Sequence, residues 1–245
     1  MKRISSGLSI VSIATFGSLA YAGSGTATYY LDVDNTMVQT TGSGSNLSNG
    51  QGDLYVGRTN QTDDISRRRP LLHFPIPVGG GDGQLPANAT IGTVTLHVYN
   101  CMTVDSSTRI GTLHEADMEW GQGSSYFSGG VGAPSEGADA SWWFADIGAS
   151  SLWANAGGDY SATVSGTGTM SDTDNVWDTF AGAQMTTDVQ NWYDGDDNYG
   201  WVMLGDETDA QTARRYASMT WLTMDFDNDY CTGGGVPYLT VDWTD

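Results

Sequence analysis

The chain gathers its positive charge in two short runs. "SRRRPLLHF" holds Arg67, Arg68 and Arg69, and "ARRY" holds Arg214 and Arg215. A guanidinium is a planar fork that pairs a carboxylate through two parallel hydrogen bonds. Arg67, Arg69, Arg214 and Arg215 are therefore candidates for reading a uronate sugar or another polyanion. On an extended strand alternate side chains share a face, which places Arg67 with Arg69 and sends Arg68 the other way. The competing reading is structural: 29 acidic residues surround few cations, and neighbours such as Asp63 and Asp64 would pair the arginines internally.

Aromatic residues are the second chemical resource. Nine Trp and twelve Tyr exceed what one sandwich core needs. Trp120 in "EWGQG", with Trp142, Trp143 and Trp153 in a Gly/Ser/Ala-rich stretch, are candidates for stacking on the apolar face of a sugar ring or for a protein interface. Trp192, Trp201 and Trp243 fall in periodic segments and read as core.

Aspartate-rich turns are the third. "DGDDNYG" sets Asp194, Asp196 and Asn198 at alternate positions, and "DFDND" does the same with Asp225, Asp227 and Asp229. Both suit the oxygen ligands of calcium, although neither completes an EF-hand loop, and "SDTDN" and "DVDN" are similar. Asp and Asn also build turns without any metal. "HEADMEW" gathers Glu115, Asp117 and Glu119, a carboxylate group of the kind glycoside hydrolysis uses, though such a run is ordinarily a solvated strand face. The three histidines, His73, His97 and His114, lack metal-ligand spacing.

These residues must be positioned by something. Residues 1–22 read as an export signal: a basic start at Lys2 and Arg3, a short apolar core, and Ala20-Tyr21-Ala22 before the cleavage point. Without it, nine basic residues less two face 29 acidic ones, a formal charge of −22. That charge argues against nucleic acid and anionic membranes as partners. Cys101 and Cys231, the two cysteines of an exported chain, predict a disulfide. "TVTLHVYN", "GWVML", "PYLTVDW" and "DLYVG" alternate apolar and polar residues and are separated by Gly, Asn and Asp. They predict a single all-β domain over 23–245. "TTDVQNWY" (Thr186 to Tyr193) is the one short helix expected, and 121–168 reads as a long irregular insertion.

Taken in order, "DLYVGR", "RPLLHFPIP", "LPANATIGTVTLHVY", "WANAGGDYS", "MTTDVQNWYDGDDNYGWVML", "ARRYASM" and "PYLTVDW" resemble the DNRLRE-domain family. That family includes modules classed among alginate-binding carbohydrate-binding modules and is similar to archaeal disaggregatase repeats. The resemblance implies an extracellular jelly-roll-like β-sandwich, with Arg69 at the family's arginine position. Pro75 replaces the family's usual Asp, and "ARRY" replaces its "SRE". The expectation is a secreted or cell-surface, non-catalytic protein that binds extracellular polysaccharide with calcium as a possible stabiliser. The alternatives are a self-associating matrix or filament protein and, behind that, a polysaccharide-degrading enzyme.

Overall fold

The computed structural model describes residues 23–77, 79, 84–222 and 231–245. The expected export signal and the triplet Asp225, Asp227 and Asp229 lie outside them. The first strands are β1 (Ser24–Tyr30), β2 (Val33–Val38), β3 (Leu47–Ser48), β4 (Leu54–Arg58) and β5 (Arg67–His73). Next come β6 (Thr90–Thr103), β7 (Arg109–Glu115), β8 (Ala133–Pro134), β9 (Phe144–Asp146) and β10 (Ser151–Leu152). Strands β11 (Gly166–Met170) and β12 (Val176–Ala181) lead into helix α1 (Ala183–Asp194). Strands β13 (Trp201–Leu204) and β14 (Arg214–Tyr216), a 3-10 turn (Met219–Leu222) and β15 (Tyr238–Thr244) complete the order.

The chain is all-β with one helix, as the alternating segments predict. The layer arrangement differs from the expected sandwich. Pairing runs β6-β12-β11-β7-β13-β5-β4-β14 and returns to β6, an eight-stranded closed barrel. Two features close it. β6 is 14 residues long, so one of its edges holds both β15 (at Thr90 to His97) and β14 (at Asn100 to Thr103). β14 then bridges to β4, sealing the seam at which two sheets would otherwise part. β15 carries β1 outward from β6, and β2 carries β3 and β8 outward from β5.

Period-2 alternation assigns the two faces of the wall. Leu96 and Val98 of β6, Leu239 and Val241 of β15, Phe180 of β12, and Trp201 and Met203 of β13 bury themselves in one interior core. Helix α1 adds Met185, Val189 and Trp192 to that core, with the Trp192 ring 4.6 Å from Trp201. Asp188, on the same helical face, is fully buried and accepts a 2.9 Å hydrogen bond from the Trp201 indole. The helix stops at Gly195, which takes the left-handed conformation (φ 114°) that glycine adopts without steric cost.

Candidate functional site

The two arginine runs do not converge into one positive island. Arg67 and Arg69 do share a face, and both reach Glu207, at 3.4 and 2.7 Å. Arg69 grips Glu207 with Nε and Nη2 (2.7 and 2.8 Å), donates Nη1 to the Gly157 carbonyl at 2.9 Å, and lies 4.7 Å over the Trp142 ring. Arg215 pairs with the buried Asp53, and Arg214 donates to the Ser171, Thr212 and Ser107 carbonyls. As candidate ligand readers, Arg69, Arg214 and Arg215 are instead scaffold, because their guanidinium groups are engaged by the chain's own acids and carbonyls. Arg67 stands beside them in the Glu207 ion pair, its Nε without a hydrogen-bond partner. Arg68 points to the opposite face, fully buried, and donates to the Ile65 and Arg67 carbonyls at 2.9 and 2.8 Å and to Gln61 and the Gly130 carbonyl. Without a carboxylate beside it, burial lowers its pKa to about 10.

The tryptophans of the insertion are also inside. Trp120, Trp142 and Trp153 form a second core with Met37, Leu71, Ala116 and Val202, on the opposite side of the barrel wall from the interior core. Leu71 and Val202 point out from β5 and β13 where Leu72 and Trp201 point in, so the insertion roofs an apolar outer face. The Trp153 indole donates to the Ser141 carbonyl and the Trp120 indole to the Tyr199 carbonyl, each at 2.8 Å. Trp143 packs at the margin and donates to the Thr40 hydroxyl at 3.1 Å. The expectation of exposed stacking platforms fails here because an apolar outer face costs free energy until it is covered.

The turn at 194–198 is built from its own side chains. Asp194 accepts from Gln190, and Asn198 donates to the Phe74 carbonyl and accepts from the Gly200 amide. Asp194, Asp196 and Asn198 do not form a cage, and among the described residues no three metal-ligating acid, histidine or cysteine side chains gather. The Glu115 carboxylate accepts the Trp192 indole at 2.8 Å, and burial raises its pKa. Glu119 lines a separate hollow with His73, Asn198 and Tyr199. Among the described residues the most displaced carboxylate is Asp34 on β2. It is fully buried, accepts the Met219 amide at 2.8 Å with Oδ2, and leaves Oδ1 without a hydrogen-bond partner. Burial pushes its pKa up to about 8, against the Met219 hydrogen bond and with help from nearby Asp53.

The exposed aromatic surface lies elsewhere, on the outer face of β1, β15, β6 and β12. Register sets Tyr30 beside Tyr238, Tyr238 beside His97, and Tyr99 beside Trp177. Ring centroids are 5.9 Å apart for Tyr30 and Tyr238, 4.5 Å for Tyr238 and His97, and 5.3 Å for Tyr238 and Trp177. Tyr30 is 61% exposed and Trp177 41%. Burial lowers the pKa of His97, which favours the neutral ring that stacks on Tyr238 at 9° between planes.

Trp177 has a built support. Tyr99 meets it edge-on at 5.1 Å and donates its hydroxyl to the Thr232 carbonyl at 2.7 Å. Gly234 lies flat on the Tyr99 ring, where an added Cβ would come within 2.5 Å of a ring carbon. Cys231, at the head of this "CTGGG" segment, is joined to Cys101 of β6 by the predicted disulfide. The Thr232 amide also donates to Asn175, two residues before Trp177, at 2.9 Å. The bond thus ties a glycine-rich segment to the strand that carries the aromatic row.

Compared with known protein families and with curated proteins, the chain matches none. The residues of the exposed row did not stand out by composition. Their signal was alternation: in "NVWDTFA", Asp178 and Phe180 point inward, which turns Trp177 and Thr179 to solvent.

Proposed function

We propose that the chain is an exported, non-catalytic β-protein that binds extracellular polysaccharide through the row Tyr30, Tyr238, His97 and Trp177. The observation that carries this reading is an aromatic row crossing four hydrogen-bonded strands with its end rings half open to solvent. A sugar ring presents an apolar face of C–H groups that such rings cover, while its hydroxyls stay at the polar rim. The Cys101–Cys231 bond supports export, since disulfides persist in oxidising compartments. The resemblance to the DNRLRE-domain family points to the same class of ligand. In native gels containing polysaccharide, the protein is expected to be retarded relative to gels without it. No retardation by any neutral, acidic or basic polysaccharide would overturn the reading.

One observation favours a second reading, self-assembly. Strand β1 reads "SGTATYY", without charge or proline, and pairs on one side only with β15 among the described strands. An uncharged edge of seven residues is a template for a second copy. Ordered oligomers or filaments of the purified protein, with no polysaccharide binding, would favour this reading over the first.

A further inference from the structure

Beside Trp177 the outer face continues as a groove over β12, β11 and β7. Thr108, Ile110, Thr167, Thr169 and Thr179 line it, with Trp177 as one wall, and it encloses about 560 Å³. Register aligns these side chains with the row. Thr240 pairs with Thr95, Thr95 with Ala181, Ala181 with Thr167, and Thr167 with Thr112, so a line of small side chains crosses five strands on one face, with a hydroxyl on every strand but β12, where it carries Ala181. Neighbouring strands are spaced about 4.8 Å, so the surface from Tyr30 to Ile110 extends on the order of 20 Å, several sugar rings long.

The face carries almost no charge in a chain of net charge −20. Asp178 is the one charged residue lining the groove. It is buried, and its carboxylate accepts the Tyr216 hydroxyl and the Ser171 amide at 2.7 and 3.0 Å. Asp242, at the far margin on β15, accepts the Thr26 hydroxyl at 2.6 Å. Among the described residues no arginine lines the groove or stands in the aromatic row, and the acidic surface of the chain repels polyanions.

We infer that the aromatic row and the threonine groove are one binding surface for an uncharged polysaccharide laid across the strands, with Trp177 stacking at its centre. This rests on the proposed polysaccharide-binding function and names its ligand class. Rings along Tyr30, Tyr238 and Trp177 cover sugar faces, and threonine hydroxyls, which both donate and accept, meet the ligand's hydroxyls. A uronate polymer would bring carboxylates to a face that offers no arginine or lysine among the described residues.

The test is affinity electrophoresis of the full-length protein, of Trp177→Ala and of the double variant Thr167→Val/Thr169→Val. Gels contain a neutral β-glucan, a galactomannan, alginate or chitosan. Thermal unfolding monitors the fold of each variant. Retardation by a neutral polysaccharide, weakened about tenfold in Trp177→Ala and a few-fold in the valine variant, is the expected result. Retardation by alginate or chitosan alone would overturn the inference and leave polysaccharide binding standing. Retardation by a neutral polymer that Trp177→Ala leaves unchanged would place the site elsewhere and overturn the inference too. No retardation by any polymer would overturn the underlying function. A Trp177-dependent dimer seen in sedimentation in that case would assign the face to a second copy of the chain.

Discussion

The barrel wall shows two outer faces of opposite fate. Over β5 and β13 the outward side chains are Leu71, Val202 and their neighbours, and Trp120 covers them together with Trp142 and Trp153 of the insertion. Over β1, β15, β6 and β12 the outward side chains are mainly Thr, His, Tyr and Trp177, and among the described residues most of that face is uncovered. The same residue type, tryptophan, therefore serves two purposes. In the insertion it supplies bulk for a second core. On the bare face it stands among hydroxyls that remain content in water, so nothing compels the chain to cover it.

The largest expected effect follows from that contrast. Trp153 is 6% exposed and holds the Ser141 carbonyl through its indole. Truncating a buried tryptophan removes its transfer free energy and leaves a cavity, so Trp153→Ala is expected to cost about 3 to 5 kcal/mol in urea denaturation. A loss under about 1 kcal/mol would show that the insertion is not integral to the folded unit and would dissolve the contrast between the faces.

Much of this was legible in the sequence where the information is local. Alternation in "TVTLHVYN" assigned Val94, Leu96 and Val98 to one side and His97 to the other, and the paired cysteines foretold their bond. The opposition of Arg68 to Arg67 and Arg69 also followed from strand periodicity. What failed depends on distant partners. Asp63 pairs with Arg58, while Arg69 takes Glu207, 138 residues away, a choice that local charge pattern does not encode. Tyr99 stands among outward positions yet is 5% exposed, because the segment after Cys231 folds over it. Barrel closure turned on β14, three residues too short to carry a periodic signal. Trp177 was readable from its neighbours Asp178 and Phe180, although the tryptophans clustered in the glycine-rich stretch carry the stronger compositional signal.

A second prediction concerns the covered half, where polar groups are buried along with the apolar ones. Asp34 titrates near 3.8 when unfolded and near 8 in the native protein. Below the unfolded value both states hold the proton, and the stability associated with the neutral carboxyl is fully present. As pH rises toward 8 the unfolded state releases its proton while the native state retains it, so stability falls by about 1.4 kcal/mol per pH unit across that window. Other buried carboxyls, Asp53 among them, contribute in both proteins, so the informative quantity is the difference from Asp34→Asn. That variant is expected to be the more stable by about 2 to 3 kcal/mol at pH 7 relative to the difference at pH 5. Parallel stability curves for the two proteins between pH 5 and pH 7 would show that Asp34 is ionised in the fold.

The smallest effect on stability is expected at Trp177. Trp177 is 41% exposed, its support runs through Tyr99 and Tyr238, and its removal opens no enclosed cavity. Trp177→Ala is therefore expected to change unfolding free energy by no more than about 1 kcal/mol, the scale of its edge-on ring contacts. Set beside Trp153→Ala, this separates a tryptophan kept for packing from one that packing does not require. A loss as large as that of Trp153→Ala would mean that the bare face is structural after all. The row would then owe its aromatics to the stability of β12 and β6, and a ligand would no longer be needed to explain them.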